Sequence, residues 1–125
     1  MKIITASKAP AAVGPYSQAI KLNDVLYCSG MLPLNPETGE IVGKTIEEQT
    51  EQIFNNIRVL LESEGLTLNQ VVKSLVFLRK MDDFSGMNTI YAQEFGEHKP
   101  VRSCVAVADI PKGAMVEIEV VVSYK

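Results

Sequence analysis

Histidine and cysteine are scarce in this chain, cations are in the minority, and long apolar runs are missing. There is one His and there are two Cys in 125 residues, and Cys28, His98 and Cys104 follow none of the spacings that hold a metal. Two cysteines make no disulfide framework, and no cationic, apolar and small-residue leader opens the chain. The expected compartment is therefore the reducing cytoplasm. No apolar run approaches the ~18 residues that a membrane span requires, and no glycine-rich motif is present to cradle phosphates. Lys and Arg total 12 against 15 Asp and Glu, for a net charge of -3. With pI near 5.2 and the cations scattered singly, the basic stripe of a nucleic-acid binder is lacking. Neither an internal repeat nor a low-complexity linker divides the chain.

What is present is an ordinary globular composition, 46% hydrophobic and 22% charged, of a length that suits one domain (1–125) around one core. Lys2 to Thr5 reads as a short strand. Tyr16 to Leu22 and Val25 to Gly30 read as a hairpin turning at Asn23-Asp24. Pro33, Asn35-Pro36 and Thr38-Gly39 mark an irregular loop. Thr45-Ile46-Glu47-Glu48 matches a capping box, and Ile46, Ile53, Phe54, Ile57, Leu60 and Leu61 follow at helical spacing until Gly65. Val71 to Leu78 is a core strand. Asp82 or Asp83 is expected to cap a second helix with Phe84, Met87, Tyr91 and Phe95 on one stripe, ending at Gly96. Two further strands close the chain. The order β-β-β-α-β-α-β-β predicts an α/β (α+β) domain, a mixed sheet with both helices packed on one face.

The chemistry is concentrated in the last two strands. Arg102 interrupts the apolar run P-V-R-S-C-V-A-V-A, and Glu117 and Glu119 interrupt M-V-E-I-E-V-V-V; charges in such places are paired or used. Alternation puts Arg102 with Cys104 on one face of their strand and Glu117 with Glu119 on one face of theirs. The connection D-I-P-K-G-A is short enough to make the two strands antiparallel neighbours, with Val116, Ile118, Val120 and Val122 toward the helices. On that reading the other face carries Glu117, Glu119 and Val121 beside Arg102, Cys104, Ala106 and Ala108. A sheet face that mixes small apolar residues with a few charges suits a subunit interface containing a cleft. The alternative is a half-wet open face carrying a surface salt bridge, and the plainer reading of Arg102 is a structural pair with Glu117 that satisfies two buried charges. A guanidinium and a carboxylate on apolar walls suit a small anionic substrate that needs a positioned water.

The runs G-P-Y-S-Q-A-I (Gly14 to Ile20), Y-C-S-G (Tyr27 to Gly30), N-P-E-T-G (Asn35 to Gly39) and E-E-Q-T (Glu47 to Thr50) resemble the reactive-intermediate deaminase family, RidA/YjgF. So do N-x-x-Y (Asn88 to Tyr91), P-V-R-S-C (Pro100 to Cys104) and I-P-K-G-A-x-V-E-I-E (Ile110 to Glu119), in matching order along nearly the whole chain. The resemblance implies a chorismate-mutase-like fold in a homotrimer with clefts between subunits. It implies hydrolysis of 2-imino acids such as 2-iminobutanoate and 2-iminopropanoate, and their enamine tautomers, to 2-oxo acids and ammonia, without a cofactor. On this resemblance the carboxylate-binding arginine falls on Arg102 and the glutamate beside the reacting carbon on Glu117. The remaining substrate-binding positions fall on Tyr16, Ser29, Gly30, Asn88 and Cys104. One departure is Met31, where the family often has Gln after S-G; it removes an amide next to the expected cleft.

Each residue also has a plainer reading. Cys104 is a small hydrophobe forming cleft wall rather than a nucleophile, since no neighbouring histidine would activate it. His98 is a solvated residue of a polar loop, Tyr16 is core filling with a satisfied hydroxyl, Asn88 is a helix-surface amide, and Glu119 is a solvated or interface charge. The competing function is a regulatory trimer that senses a small molecule or binds a partner through the same arginine without turnover. A pure carboxylate receptor gains nothing from Glu117 nearby, which favours catalysis.

Overall fold

The computed structural model describes residues 1–125. Its helices form where the sequence supplies both a start signal and an apolar period. Helix α1 (Ile46–Glu62) begins at Thr45, whose hydroxyl accepts from Glu48 N while the Glu48 carboxylate accepts from Thr45 N, the reciprocal bonds of a capping box. Its six predicted apolar residues are all buried, and Gly65 takes the left-handed φ of 70° beyond its end. Helix α2 (Phe84–Phe95) buries Met87, Tyr91 and Phe95 as expected and stops at Gly96, φ 65°. Its start departs from expectation. A 3-10 turn over Met81–Asp83 leads directly into it, so Asp83 already has helical backbone angles and its carboxylate makes no capping bond.

Six strands form one sheet: β1 (Lys2–Ile4), β2 (Ala19–Leu22), β3 (Val25–Cys28), β4 (Val71–Leu78), β5 (Val101–Ala106) and β6 (Val116–Ser123). The hairpin β2–β3 turns at Asn23, whose left-handed φ of 55° suits asparagine. Tyr16 and Ser17 lie ahead of β2 rather than within it. Beyond β3, Met31 re-engages β6 through two backbone bonds with Ile118, so Ser29 and Gly30 form a short break between paired stretches.

The strand order is β1-β2-β3-β6-β4-β5, which overturns the expected pairing of the last two strands. β4 lies between β5 and β6; it pairs parallel with β5 and antiparallel with β6. Segment 107–115 is long enough to step across one strand, about 10 Å at the spacing between sheet strands. Helix α2 provides the crossover that a parallel β4–β5 pair needs. The sheet is therefore mixed, with α1 and α2 covering one face.

Register also corrects the shared face. Arg102, Cys104 and Ala106 stand opposite Ser74, Val76 and Leu78 of β4, and those three residues are buried under the helices. Glu117 and Glu119 stand opposite Phe77 and Leu75 on the other face. Within one chain, Arg102 and Glu117 thus lie on opposite sides of the sheet.

The helix-covered side holds the core. Val116, Ile118, Val120 and Val122 are at most 2% exposed, as their alternation predicts. Phe54 sits at the centre, edge-on to Tyr91 at 5.8 Å and to Phe95 at 5.5 Å, geometry that adds about 0.5–1.5 kcal/mol per pair beyond burial. The opposite face carries Ile20, Tyr27, Leu75, Phe77, Val101 and Val105, none of them fully buried. No helix is long and apolar enough to cross a membrane.

Candidate active site

The open face ends in a cavity of about 710 Å³. Tyr16, Ser29, Gly30 and Glu117 line it together with Pro10, Val13, Leu32, Leu34, the segment Pro36–Gly39, Pro111 and Lys112. The first four are residues that the family resemblance implies, and the structure brings them to one place. Strand β6 supplies Glu117, and the break after β3 supplies Ser29 and Gly30. Gly30 leaves room for the Glu117 carboxylate: a β-carbon built there would lie 2.8 Å from Glu117 Cδ and closer still to Oε2, so a side chain at this position would push the carboxylate aside. The carboxylate therefore rests directly against backbone.

The apolar walls affect that carboxylate. Burial, and secondarily the charge of Glu119 two residues along the same face, raise the Glu117 pKa above the ordinary carboxyl value. A carboxyl that holds its proton longer than usual, in a cavity, is suited to exchanging protons with a bound molecule. Glu119 is itself half-buried on that face. The Ser29 hydroxyl donates to Ser17 O at 2.6 Å, which leaves its lone pairs free. Tyr16 is 53% exposed and forms wall rather than core.

Arg102 and Asn88 lie elsewhere, in a groove of about 390 Å³ between α2 and β5. Arg102 Nη1 donates to Asn88 Oδ1 at 2.7 Å, and the guanidinium stacks 4.7 Å from the Tyr91 ring centroid and 5.5 Å from that of Phe84. These contacts fix the plane of the fork while the side chain stays exposed, with donors to spare. No carboxylate pairs with it, which removes the structural Arg102–Glu117 pair. Cys104, beside it on the same face, packs against the core with its thiol pKa pushed up by burial, an effect the Arg102 charge opposes. Burial drives the Cys28 thiol to about 12. Neither is an activated nucleophile. No three His, Cys, Asp or Glu side chains gather in a way that could hold a metal.

Met31 is 9% exposed and packs with the hydrophobic core, and it also borders a small pocket with Tyr16, Ser29 and Gly30 next to the cavity. One sequence reading changes. His98 is tied down, with Nε2 at 2.6 Å from Val71 O, instead of being free in solvent.

Several cavity-building residues were not legible as such. Gln18 bonds both Ala6 and Pro10, which orders the N-terminal wall. Asn56 donates to Leu32 O and Leu34 O, and Gln49 donates to Gly43 O while accepting from Met115 N. These amides tie the irregular loop to α1. Buried polar residues on an otherwise apolar helix face were the available signal.

A family profile described as endoribonuclease L-PSP matches residues 6–124. The chain belongs to this family, the RidA/YjgF proteins. It is 44% identical over 118 residues to Reactive Intermediate Deaminase A, chloroplastic, from Arabidopsis thaliana, covering 94% of this chain and 63% of that one. It is 47% identical over 125 residues to a Lactococcus lactis protein whose name marks it as a regulator, AldR, covering 100% of this chain and 99% of the relative. The solved structure of Escherichia coli TdcF with bound serine superposes with a TM-score of 0.93 at 36% identity and covers the full length of both chains.

Proposed function

We propose that the protein hydrolyses reactive 2-imino acids, 2-iminobutanoate and 2-iminopropanoate among them, to 2-oxo acids and ammonia. The observation that carries this reading is Glu117: a half-buried carboxyl with raised pKa, set against Gly30 in an apolar-walled cavity. The protonated imine is attacked at C2 by a water whose proton passes to Glu117. The same carboxyl returns a proton to nitrogen, the C2–N bond breaks, ammonia leaves, and the C2 hydroxyl becomes the carbonyl as its proton is lost. Ser29 Oγ offers an acceptor to the imine N–H. Holding the reactants in line supplies roughly 7 kcal/mol or more in well-oriented systems, ample for a substrate that hydrolyses spontaneously.

The substrate carboxylate needs a cation, and Arg102 of the same chain lies across the sheet from Glu117. A second copy that lays its β5 edge against the open face supplies it. Arg102, its plane set by Asn88 and Tyr91, then grips the carboxylate bidentately, and Cys104 contributes only wall and backbone at the unpaired edge. Such a head-to-tail contact closes into a ring, here a homotrimer with three clefts. The exposed apolar residues of the open face are the surface this assembly would cover.

The test is a dehydratase-coupled assay that follows ammonia and 2-oxo acid release, together with sedimentation of the purified protein. Acceleration by a trimer, abolished in Arg102→Ala and hardly rescued in Arg102→Lys, supports the reading; unchanged release with wild type rejects it. The relative named as a regulator favours a second reading, a sensing trimer without turnover. In that case the protein binds a 2-oxo acid through Arg102 yet leaves the imine's lifetime unaltered. The nuclease named in the family description has less support here, because the chain is acidic and lacks a basic stripe.

A further inference from the structure

The turn between β5 and β6 contains a backbone anomaly. Gly113 N bonds back to Ile110 O, making a four-residue turn with Pro111 second and Lys112 third. Lys112 has φ 60° and ψ 18°, the left-handed third position of a type II turn, where glycine or asparagine is usual. A glycine is available one place later, also left-handed at φ 69°, yet the third position holds a lysine. Backbone strain of this kind persists where the surroundings use it.

The structure shows what the lysine does. Its Nζ donates to Gly39 O at 2.7 Å across the chain, and both residues line the cavity that contains Glu117. The turn itself is braced from behind by Arg79, whose Nη1 donates to Gly113 O at 3.0 Å. Gly39, left-handed at φ 75°, closes the Asn35 turn by donating its N–H to Asn35 O at 2.8 Å. The Pro36–Gly39 wall itself makes no hydrogen bond to α1, which holds the loop through Leu32, Leu34, Gly43 and Lys44 on either side of it. The lysine bond joins that wall directly to the turn leading into β6.

We propose that Lys112 is a positioning residue of this cavity: its ammonium pins the Gly39 carbonyl and holds the Pro36–Gly39 segment as a fixed wall beside Glu117. The effect on catalysis rests on the function proposed above, whereas the pinning itself does not. Three variants separate the two. Lys112→Met keeps the side-chain stem and the strain but loses the donor. Lys112→Gly loses the donor and relieves the strain. Lys112→Arg keeps a donor cation.

Amide hydrogen exchange at Gly39 and Glu40 reads the pinning without reference to activity. It is expected to quicken about 10-fold in the Met and Gly variants and to stay near wild type in the Arg variant, because a local opening responds to each lost tie. In the coupled assay, KM is expected to rise about 3–10-fold in Met and Gly with kcat within about twofold, as for a lost binding wall. Lys112→Gly is expected to melt about 2–5 °C above Lys112→Met, since it keeps the turn without left-handed strain. Unchanged exchange in Lys112→Met overturns the proposal whatever the activity. Exchange that quickens in Lys112→Met and returns to the wild-type rate in Lys112→Gly means that the wall holds without the donor once the turn is unstrained, and overturns it as well. Quickened exchange in an enzyme with no deaminase activity would leave the pinning standing and reject the function instead.

Discussion

The two faces of β6 are built from alternate residues of one strand and have opposite characters. Val116, Ile118, Val120 and Val122 are sealed beneath α1 and α2, whereas Glu117, Glu119, Val121 and Ser123 remain half-exposed. The first face is complete within one chain: its neighbours are apolar and close-packed, and no buried side-chain polar atom lacks a partner. The second is unfinished. It has a carboxyl with a raised pKa, a cavity and an apolar surround, but the guanidinium its chemistry would require is on the far side of the sheet. Stability is concentrated on the closed face, and on the proposed reading function awaits a second copy on the open one.

The largest expected effect is on the open face. On the proposed reading Glu117→Gln keeps the shape and removes the proton carrier, so steady-state turnover should fall by about 10²-fold or more, the scale of a lost acid–base group. Product 2-oxo acid, followed by NMR titration, should still bind because Arg102 still holds its carboxylate. On the closed face the effect is on stability instead. Phe54→Ala empties the centre of the aromatic cluster and should cost about 3–5 kcal/mol in denaturant unfolding. Thr45→Ala breaks the capping box and should cost about 1 kcal/mol with turnover intact.

The smallest effect sharpens the contrast by its sign. Because the Glu117 pKa is raised in the folded protein, folding favours its protonated form. That contribution is fully present in acid and is lost as the pH rises from the ordinary carboxyl pKa through the raised one. At neutral pH the charged Glu117 therefore weakens the fold, and Glu117→Gln should melt slightly higher than wild type there, with the gap closing toward pH 4. A gap that widens in acid would contradict the cause assigned to the shift.

How much of this the sequence disclosed follows from the range of each signal. Helix α1 was legible to its cap because Thr45, Glu48 and the apolar period are local. The buried face of β6 was legible because period-two alternation needs only the strand itself. Strand order was not, since the insertion of β6 between β3 and β4 is decided by pairings far apart in sequence, from Leu78 with Val116, 38 apart, to Val25 with Ser123, 98 apart. The face of Arg102 was misjudged for the same reason. In β5, Val101, Ser103 and Val105 alternate with Arg102, Cys104 and Ala106, and neither set is plainly polar or apolar. Only the register with Ser74, Val76 and Leu78 decides which set meets the helices. Family motifs pointed to Tyr16, Ser29 and Gly30, which line the cavity. They also contain Gln18 and Gln49, but nothing in single letters shows that these two hold backbone segments around it, and Asn56 lies in no motif.

The claim that the site is assembled from two chains has a direct test in subunit mixing. Arg102→Ala and Glu117→Gln proteins, each inactive alone, are co-refolded in equal amounts and assayed for 2-imino acid hydrolysis. If each cleft takes its arginine from one subunit and its glutamate from the next, half the arginine donors and half the glutamate donors are intact. About a quarter of the sites in a closed ring are then wild type, and about a quarter of wild-type turnover should return. If the mixture stays as inactive as its parents although mixed trimers form, the two residues do not meet across a subunit boundary and the account is wrong.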